Sequence, residues 1–155
     1  MEQVRLRRAT AVDADLLFAW RNDPLTRARS LQPNPVEWET HLRWLADCLD
    51  NHDRQLFIAE LTTDREPELM LLGTVRSDRS EQGFELSWTV APEQRGKGWG
   101  KRLVAALIDS LPDGACYRAV VLNDNPASQR IAVGLAMKPE VQSADRITYS
   151  GRKLS

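Results

Sequence analysis

Val90-Ala91-Pro92-Glu93-Gln94-Arg95-Gly96-Lys97-Gly98-Trp99-Gly100-Lys101-Arg102 follows an apolar, strand-like segment and opens a helix-like one. Glycines at 96, 98 and 100 leave the backbone bare where a helix begins. The first N–H groups of a helix lack internal partners, and the macrodipole adds partial positive charge there. Such a turn is an anion cradle, and Arg95, Lys97, Lys101 and Arg102 add cationic charge around it. The expected ligand carries a phosphate or pyrophosphate. The competing reading is a glycine-rich solvated turn.

Two phosphate loops fail against these residues. A P-loop needs a glycine, four residues, then Gly-Lys-Ser/Thr. Gly100-Lys101 is present, but the earlier glycine position is Arg95 and the hydroxyl position is Arg102. A dinucleotide fingerprint needs a third glycine where this chain has Lys101. What remains, Arg-Gly-Lys-Gly-Trp-Gly after Val-Ala-Pro, resembles the acetyl-CoA loop of the GNAT acetyltransferase superfamily. Arg95, Gly98 and Gly100 fill that pattern of Gln/Arg-x-x-Gly-x-Gly/Ala.

The chain has 155 residues, 42% hydrophobic and 28% charged, which suits one soluble domain spanning 1–155 with a sizeable core. A net charge of −1 gives no global basic field for nucleic acid. Two cysteines, Cys48 and Cys116, fit neither a disulfide framework nor a zinc site. The N-terminus has no apolar signal core, and no apolar run approaches ~18 residues. The expectation is a cytoplasmic protein with no metal and no membrane partner.

Outward from the loop, hydrophobic periodicity predicts a strand at 3–9 and a helix capped by Thr10 or Asp13 and running to about Trp20. Asn22-Asp23-Pro24 ends that helix, and 25–34 reads as loop. Val36 to Leu49 is an amphipathic helix, with Trp38, Leu42, Leu45 and Leu49 on one stripe. Strands follow at 55–61, 69–76 and 83–90, separated by turn-rich 63–67 and 78–83. A helix over about 98–110, a strand at 115–122, a helix over about 126–134 and weak strands from 139 onward complete the order. The residues alone give an α/β or α+β mixed sheet. The resemblance sharpens it to a GNAT acyltransferase fold: a twisted, mostly antiparallel sheet with a splayed pair of parallel strands and four flanking helices.

A second segment, Leu122-Asn123-Asp124-Asn125-Pro126-Ala127-Ser128, stands at the end of the next strand. Asn before Pro is good helix-capping chemistry in its own right. In the superfamily an Asn-x-x-Ser/Ala stretch here lies beside pantetheine and phosphates, and Asn125 and Ser128 match it. The family resemblance therefore implies acetyl-CoA as co-substrate, held by Trp88, Thr89, Val90, Arg95, Gly96, Lys97, Gly98, Trp99, Gly100, Lys101, Asn125 and Ser128. One departure stands out. The superfamily's usual tyrosine acid on this helix aligns with Ala132, so no acid stands there. Coenzyme A is a thiol with a pKa of about 8.5, so its thiolate leaves tolerably without one.

A primary amine is protonated at neutral pH and must lose a proton before it attacks a thioester. On the strand Glu85-Leu86-Ser87-Trp88-Thr89-Val90, alternation puts Glu85, Ser87 and Thr89 on one face. Glu85 is the first candidate base, its alternative being a salt-bridged strand residue. His41, beside the apolar stripe of its helix, is the second. Trp20-Arg21-Asn22-Asp23-Pro24 and the His-x-x-Trp-Leu helix resemble the superfamily branch that acetylates amino groups on nucleotide-linked sugars, of the pseudaminic acid type. That resemblance implies acceptor contacts from Trp20, Arg21, Asn22, Arg29 and Trp44, with guanidinium forks on a diphosphate and a tryptophan stacked on a base or sugar. A protein N-terminal or lysine acetyltransferase and a non-catalytic acyl-CoA-binding domain remain as alternatives. Monomer and homodimer are both open.

Overall fold

The computed structural model describes residues 2–63 and 69–154; the expected turn at 63–67 falls, past Thr63, outside them. Among the described residues seven strands form one sheet: β1 (Gln3–Arg8), β2 (Arg54–Thr62), β3 (Met70–Ser80), β4 (Gly83–Val90), β5 (Cys116–Leu122), β6 (Lys138–Gln142) and β7 (Arg146–Arg152). Their spatial order is β1-β2-β3-β4-β5-β7-β6. Every neighbouring pair is antiparallel except β4 and β5, which run parallel. Five α-helices among the described residues flank the sheet: α1 (Ala14–Arg21), α2 (Pro24–Ala28), α3 (Trp38–Asp50), α4 (Trp99–Asp109) and α5 (Pro126–Gly134).

The fifth helix corrects the expectation of loop over 25–34. Pro24 suits the first turn, and the Asp23 carboxylate accepts from the Thr26 N–H at 3.0 Å as a cap. A one-turn helix capped in this way leaves no apolar stripe in the sequence to reveal it. The start of α1 is likewise built in two steps. Thr10 caps a 3-10 turn at Ala11–Asp13, and Asp13 reaches back to the Thr10 N–H at 2.9 Å while Arg7 donates twice to its carboxylate at 2.8 Å.

Two cores lie on the two faces of the sheet. On one, α4 buries Leu103, Val104 and Leu107 against Ala59, Leu72, Val75, Leu86 and Ala119. Each of those helix side chains contributes about 1.5–3 kcal/mol by leaving water. On the other, α1 and α3 close over Leu56 and Ile58 with Leu17, Trp20, Leu45 and Cys48. Cross-strand register decides which face each side chain joins. Thr74 opposes Thr89, Arg76 opposes Ser87 and Asp78 opposes Glu85, so these six share the α1–α3 face. Val75 opposes Trp88 on the α4 face.

The ladder between β4 and β5 covers only Phe84–Tyr117 and Glu85–Arg118. Beyond it the two strands diverge, and the side of β4 that faces β5 carries no strand partner from Leu86 to Val90. Unpaired backbone in the middle of a sheet requires another partner. No helix among the described residues is long and apolar enough to cross a membrane.

Candidate active site

A cavity of about 920 Å³ opens in this splay. It reaches the start of α4 on one face of the sheet and α1 and α3 on the other, crossing at Ser87–Val90. Two molecules can therefore approach one strand edge from opposite sides.

The glycine loop forms the first wall. Pro92–Gln94 makes a 3-10 turn, Arg95 is extended, and Gly96 and Gly98 are left-handed at φ 75° and 81°. Nothing lies within 4 Å of a Cβ built on Gly96 or Gly98, so glycine is needed there for its dihedrals and not for space. Gly100 is different. A Cβ on it would stand 2.5 Å from Ile131 Cδ1, so its bareness lets α5 approach α4. The unpaired N–H groups at the start of α4 face this wall. Unobstructed left-handed glycines, a helix N-terminus and an unpaired strand edge together fit a pyrophosphate followed by an amide-bearing arm, as the acyl-CoA expectation requires.

Arg95 does not offer its guanidinium to this cradle. It is hydrogen-bonded to the Asp23 carboxylate and donates to Thr26 Oγ1 at 2.8 Å, and its backbone N–H donates to the Pro92 carbonyl at 3.4 Å. The Arg95 bond holds the Asp23 carboxyl below the usual carboxylate range. Lys97 is exposed and outside the cavity, with Nζ 3.5 Å from Gln94 Oε1. Gly96, Gly98, Trp99, Gly100 and Lys101 line the cavity. On the opposite lip Asn125 Oδ1 accepts from the Ser128 N–H at 3.2 Å. Ser128 Oγ accepts from the Trp88 indole N–H at 3.1 Å, bridging the splay. Trp88, Thr89, Val90, Asn125 and Ser128 all line the cavity.

The second wall gathers Trp20, Arg21, Arg29, His41 and Trp44 with Arg76 and Glu85. The Arg21 guanidinium lies 4.8 Å from the Trp44 ring centre and that of Arg76 5.6 Å from it. Arg76 is paired with Asp78 at 3.0 Å, whereas the buried Arg21 Nη1 has no partner. Burial, and then the charge of Arg76, pulls Arg21 below the ordinary guanidinium range, although it stays charged. Trp20 is buried in the α1–α3 core, so only part of it can meet a ligand.

His41 is fully buried, not on the helix surface as its spacing suggested. Its Nε2 stands 2.9 Å from the Ala14 carbonyl, which fixes that nitrogen as the N–H donor, and Nδ1 has no partner. Burial lowers its pKa first, the Ala14 bond opposes this, and Arg21 lowers it further. Neutral at pH 7, it offers a buried lone pair. Glu85 is half exposed on the acceptor face, and the Arg118 guanidinium stands 3.6 Å from its carboxylate. Glu85 is thus the salt-bridged strand residue of the second reading, and it also lines the cavity.

Asn22 is corrected from ligand contact to scaffold. Its amide donates to the Val36 carbonyl at 2.9 Å and accepts from the Val36 N–H at 2.8 Å, and it does not line the cavity. Arg76, Leu31, Gln32 and Arg130 line the cavity without having been expected there. For Arg76 the signal was present: it stands two residues after Thr74 on a strand, but only the register against Ser87 shows which face it joins. Ala132 is buried in the α4 core, and Tyr117 and Tyr149 lie in that same core outside the cavity. No tyrosine among the described residues lines the site.

The sequence matches the family described as Acetyltransferase (GNAT) domain over residues 3–138. No curated protein matches it significantly. Solved structures share its fold. A domain from Methanocaldococcus jannaschii superposes with a TM-score of 0.82 at 21% identity, covering 98% of this chain and 99% of that one. Spermidine N-acetyltransferase from Vibrio cholerae, in complex with CoA and spermine, gives 0.83 at 15% identity over 97% and 96%. An acetyltransferase from Thermus thermophilus gives 0.77 at 18% identity over 97% of each chain.

Proposed function

We propose, from the premise that this chain belongs to the acetyltransferase (GNAT) domain family and is an acetyl-CoA-dependent N-acetyltransferase, that its acceptor is the primary amine of a small anionic molecule, a nucleotide-linked amino sugar. The observation that carries this reading is the charge of the cavity. Arg21, Arg29, Arg76, Arg95, Lys101 and Arg130 line it, and Glu85 is its one acidic side chain among the described residues. The Arg95 and Arg76 guanidiniums have carboxylates of their own; Arg21 has none. A guanidinium nitrogen buried without a partner, on a side chain with no carboxylate beside it, invites phosphate or carboxylate oxygens. Trp44 lines the cavity beside Arg21 and Arg76, so an aromatic edge and two guanidiniums meet on this wall.

The polyamine acceptor of the Vibrio cholerae protein is a poor fit to this wall. A polycation would meet Arg21 with no carboxylate beside it, and like charges at short range are costly. Acetyl-CoA supplies an activated acyl carbon. The chain's own part is threefold. The unpaired edge of β4 and the glycine loop would hold the donor. Backbone N–H groups on that edge can stabilise the oxygen on which negative charge develops. Glu85, on the acceptor face of the same strand, takes the ammonium proton directly or through water.

Thiol release from acetyl-CoA with UDP-linked amino sugars, spermidine and peptides tests the reading: turnover is expected with the first, and turnover confined to spermidine or peptides overturns it. Glu85→Gln is expected to lower kcat by about a hundredfold or more with the affinity for CoA unchanged. Wild-type turnover in that variant would remove Glu85 from the role.

A further inference from the structure

The acceptor-side wall is not independent of the donor side. The segment 24–32, which is α2 and the turns after it, supplies Leu25, Thr26, Arg29 and Leu31 to the cavity. It touches the donor wall at both ends. At its start, Asp23 and Thr26 grip the Arg95 guanidinium, 72 and 69 residues away in sequence. Past α2, the Arg29 carbonyl accepts from Asn125 Nδ2 at 3.4 Å. Asn125 also caps α5, whose Ser128 holds Trp88 across the splay. Within the segment, Asp23 caps α2, and Arg27 donates to the Asn22 and Pro33 carbonyls at 3.3 and 3.4 Å. The far end is closed by the two Asn22–Val36 bonds. A short helix with no buried residue of its own has little hydrophobic anchorage, so these polar ties are what fix it.

We propose that Asp23 is a positioning residue that makes segment 24–32 answer to occupancy of the glycine loop. The charge on Arg95 goes to Asp23 and not to the ligand, while its backbone runs directly into the left-handed Gly96 of the glycine loop. When an anion orders residues 95–98, the guanidinium is ordered with them, and Asp23, Thr26 and the wall beyond follow. The coupling is reciprocal: a molecule that orders the wall also favours the donor. This rests on the reading of 24–32 as acceptor wall, and it adds that the wall is set by the donor.

Hydrogen exchange on the full chain, with and without CoA, tests this without any acceptor. CoA is expected to slow exchange in 95–102 and in 24–32 of the wild type. Asp23→Ser keeps a good cap for α2 but carries no charge and is shorter, so α2 can still form. In Asp23→Ser, protection of 95–102 is expected to remain, with CoA affinity within about threefold of wild type, while protection of 24–32 is lost. Arg95→Met should lose the same protection from the other end, and the double variant should lose no more than either single one. Binding of UDP, as the nucleoside diphosphate probe, is expected to tighten about fivefold with CoA in the wild type and to be indifferent to CoA in Asp23→Ser. Exchange in 24–32 that ignores CoA in the wild type overturns the proposal, as does CoA protection there that survives both substitutions. If UDP fails to bind at all, the nucleotide reading of the acceptor falls, and the exchange data still decide the coupling.

Discussion

At the scale of single residues, the side chains that matter most are those left without partners. Arg21 Nη1 and His41 Nδ1 are a donor and an acceptor, each buried and unsatisfied, on side chains that line one cavity. Leaving such groups unmet costs about 1–3 kcal/mol apiece, a cost retained at functional sites. Arg21→Met is expected to weaken UDP binding about tenfold or more, measured by calorimetry, with CoA binding unaltered. His41 also carries a pH signature. Its folded pKa lies below the reference value of 6.5, so on acidification the unfolded chain takes up the proton first. Stability from His41 is therefore present above about pH 6.5 and is lost as pH falls through the lower, folded value. Denaturant titrations should show wild type losing more stability than His41→Gln between about pH 7 and 5.5. Gly98 and Asn125 were legible in the sequence because a left-handed helix start and a side-chain cap demand those residue types, and Gly100 because two helices meet closely there. Direction was not legible. Asn22, Lys97 and Arg95 sit in matching motifs, yet Asn22 clasps Val36, Lys97 leaves the cavity and Arg95 turns to Asp23, because each follows the nearest partner that tertiary packing supplies.

At the scale of elements, strands and long helices followed from periodicity, with ends displaced by a residue or two in most cases. Strand β3 was the main exception, expected to end at 76 and continuing to Ser80, because its polar tail Ser77–Ser80 is held by pairing with β4 and not by apolar alternation. The short helix α2 was invisible, since one turn has no stripe. Strand β3 also carries a position that only the structure exposes. Opposite it, register shifts between Ala59 and Glu60, so Leu72 is an extra residue and the strand bulges. Beside this bulge Gly73 has φ +156°, and a Cβ on it would stand 2.2 Å from the Thr89 carbonyl oxygen and 3.1 Å from Leu103 Cδ1. Backbone cannot yield as a side-chain tip can. Gly73→Ala is expected to cost about 2–4 kcal/mol, read as a lowered denaturation midpoint, and to disturb β4 at Thr89 and Val90 inside the site. Gly100→Ala meets only the end of Ile131, a flexible neighbour, and its cost should be smaller.

At the scale of the whole molecule, a net charge of −1 conceals a divided distribution. Among the described residues, six cationic side chains and one carboxylate, that of Glu85, line the cavity. The divergence of β4 from β5 has a mechanical meaning as well. Four strands and α1–α3 form one half, three strands and α5 the other, and in the sheet the two are stitched by only two residue pairs at Phe84 and Glu85. A seam so short is a natural line of subglobal opening, with α4 acting as the clasp over it. Native-state hydrogen exchange should find the amides of β5–β7 opening at lower free energy than those of β2 and β3, and CoA should raise the former toward the latter. The donor would then be a removable rung of the scaffold itself, so that each turnover, by releasing it, loosens the joint between the halves and lets product out.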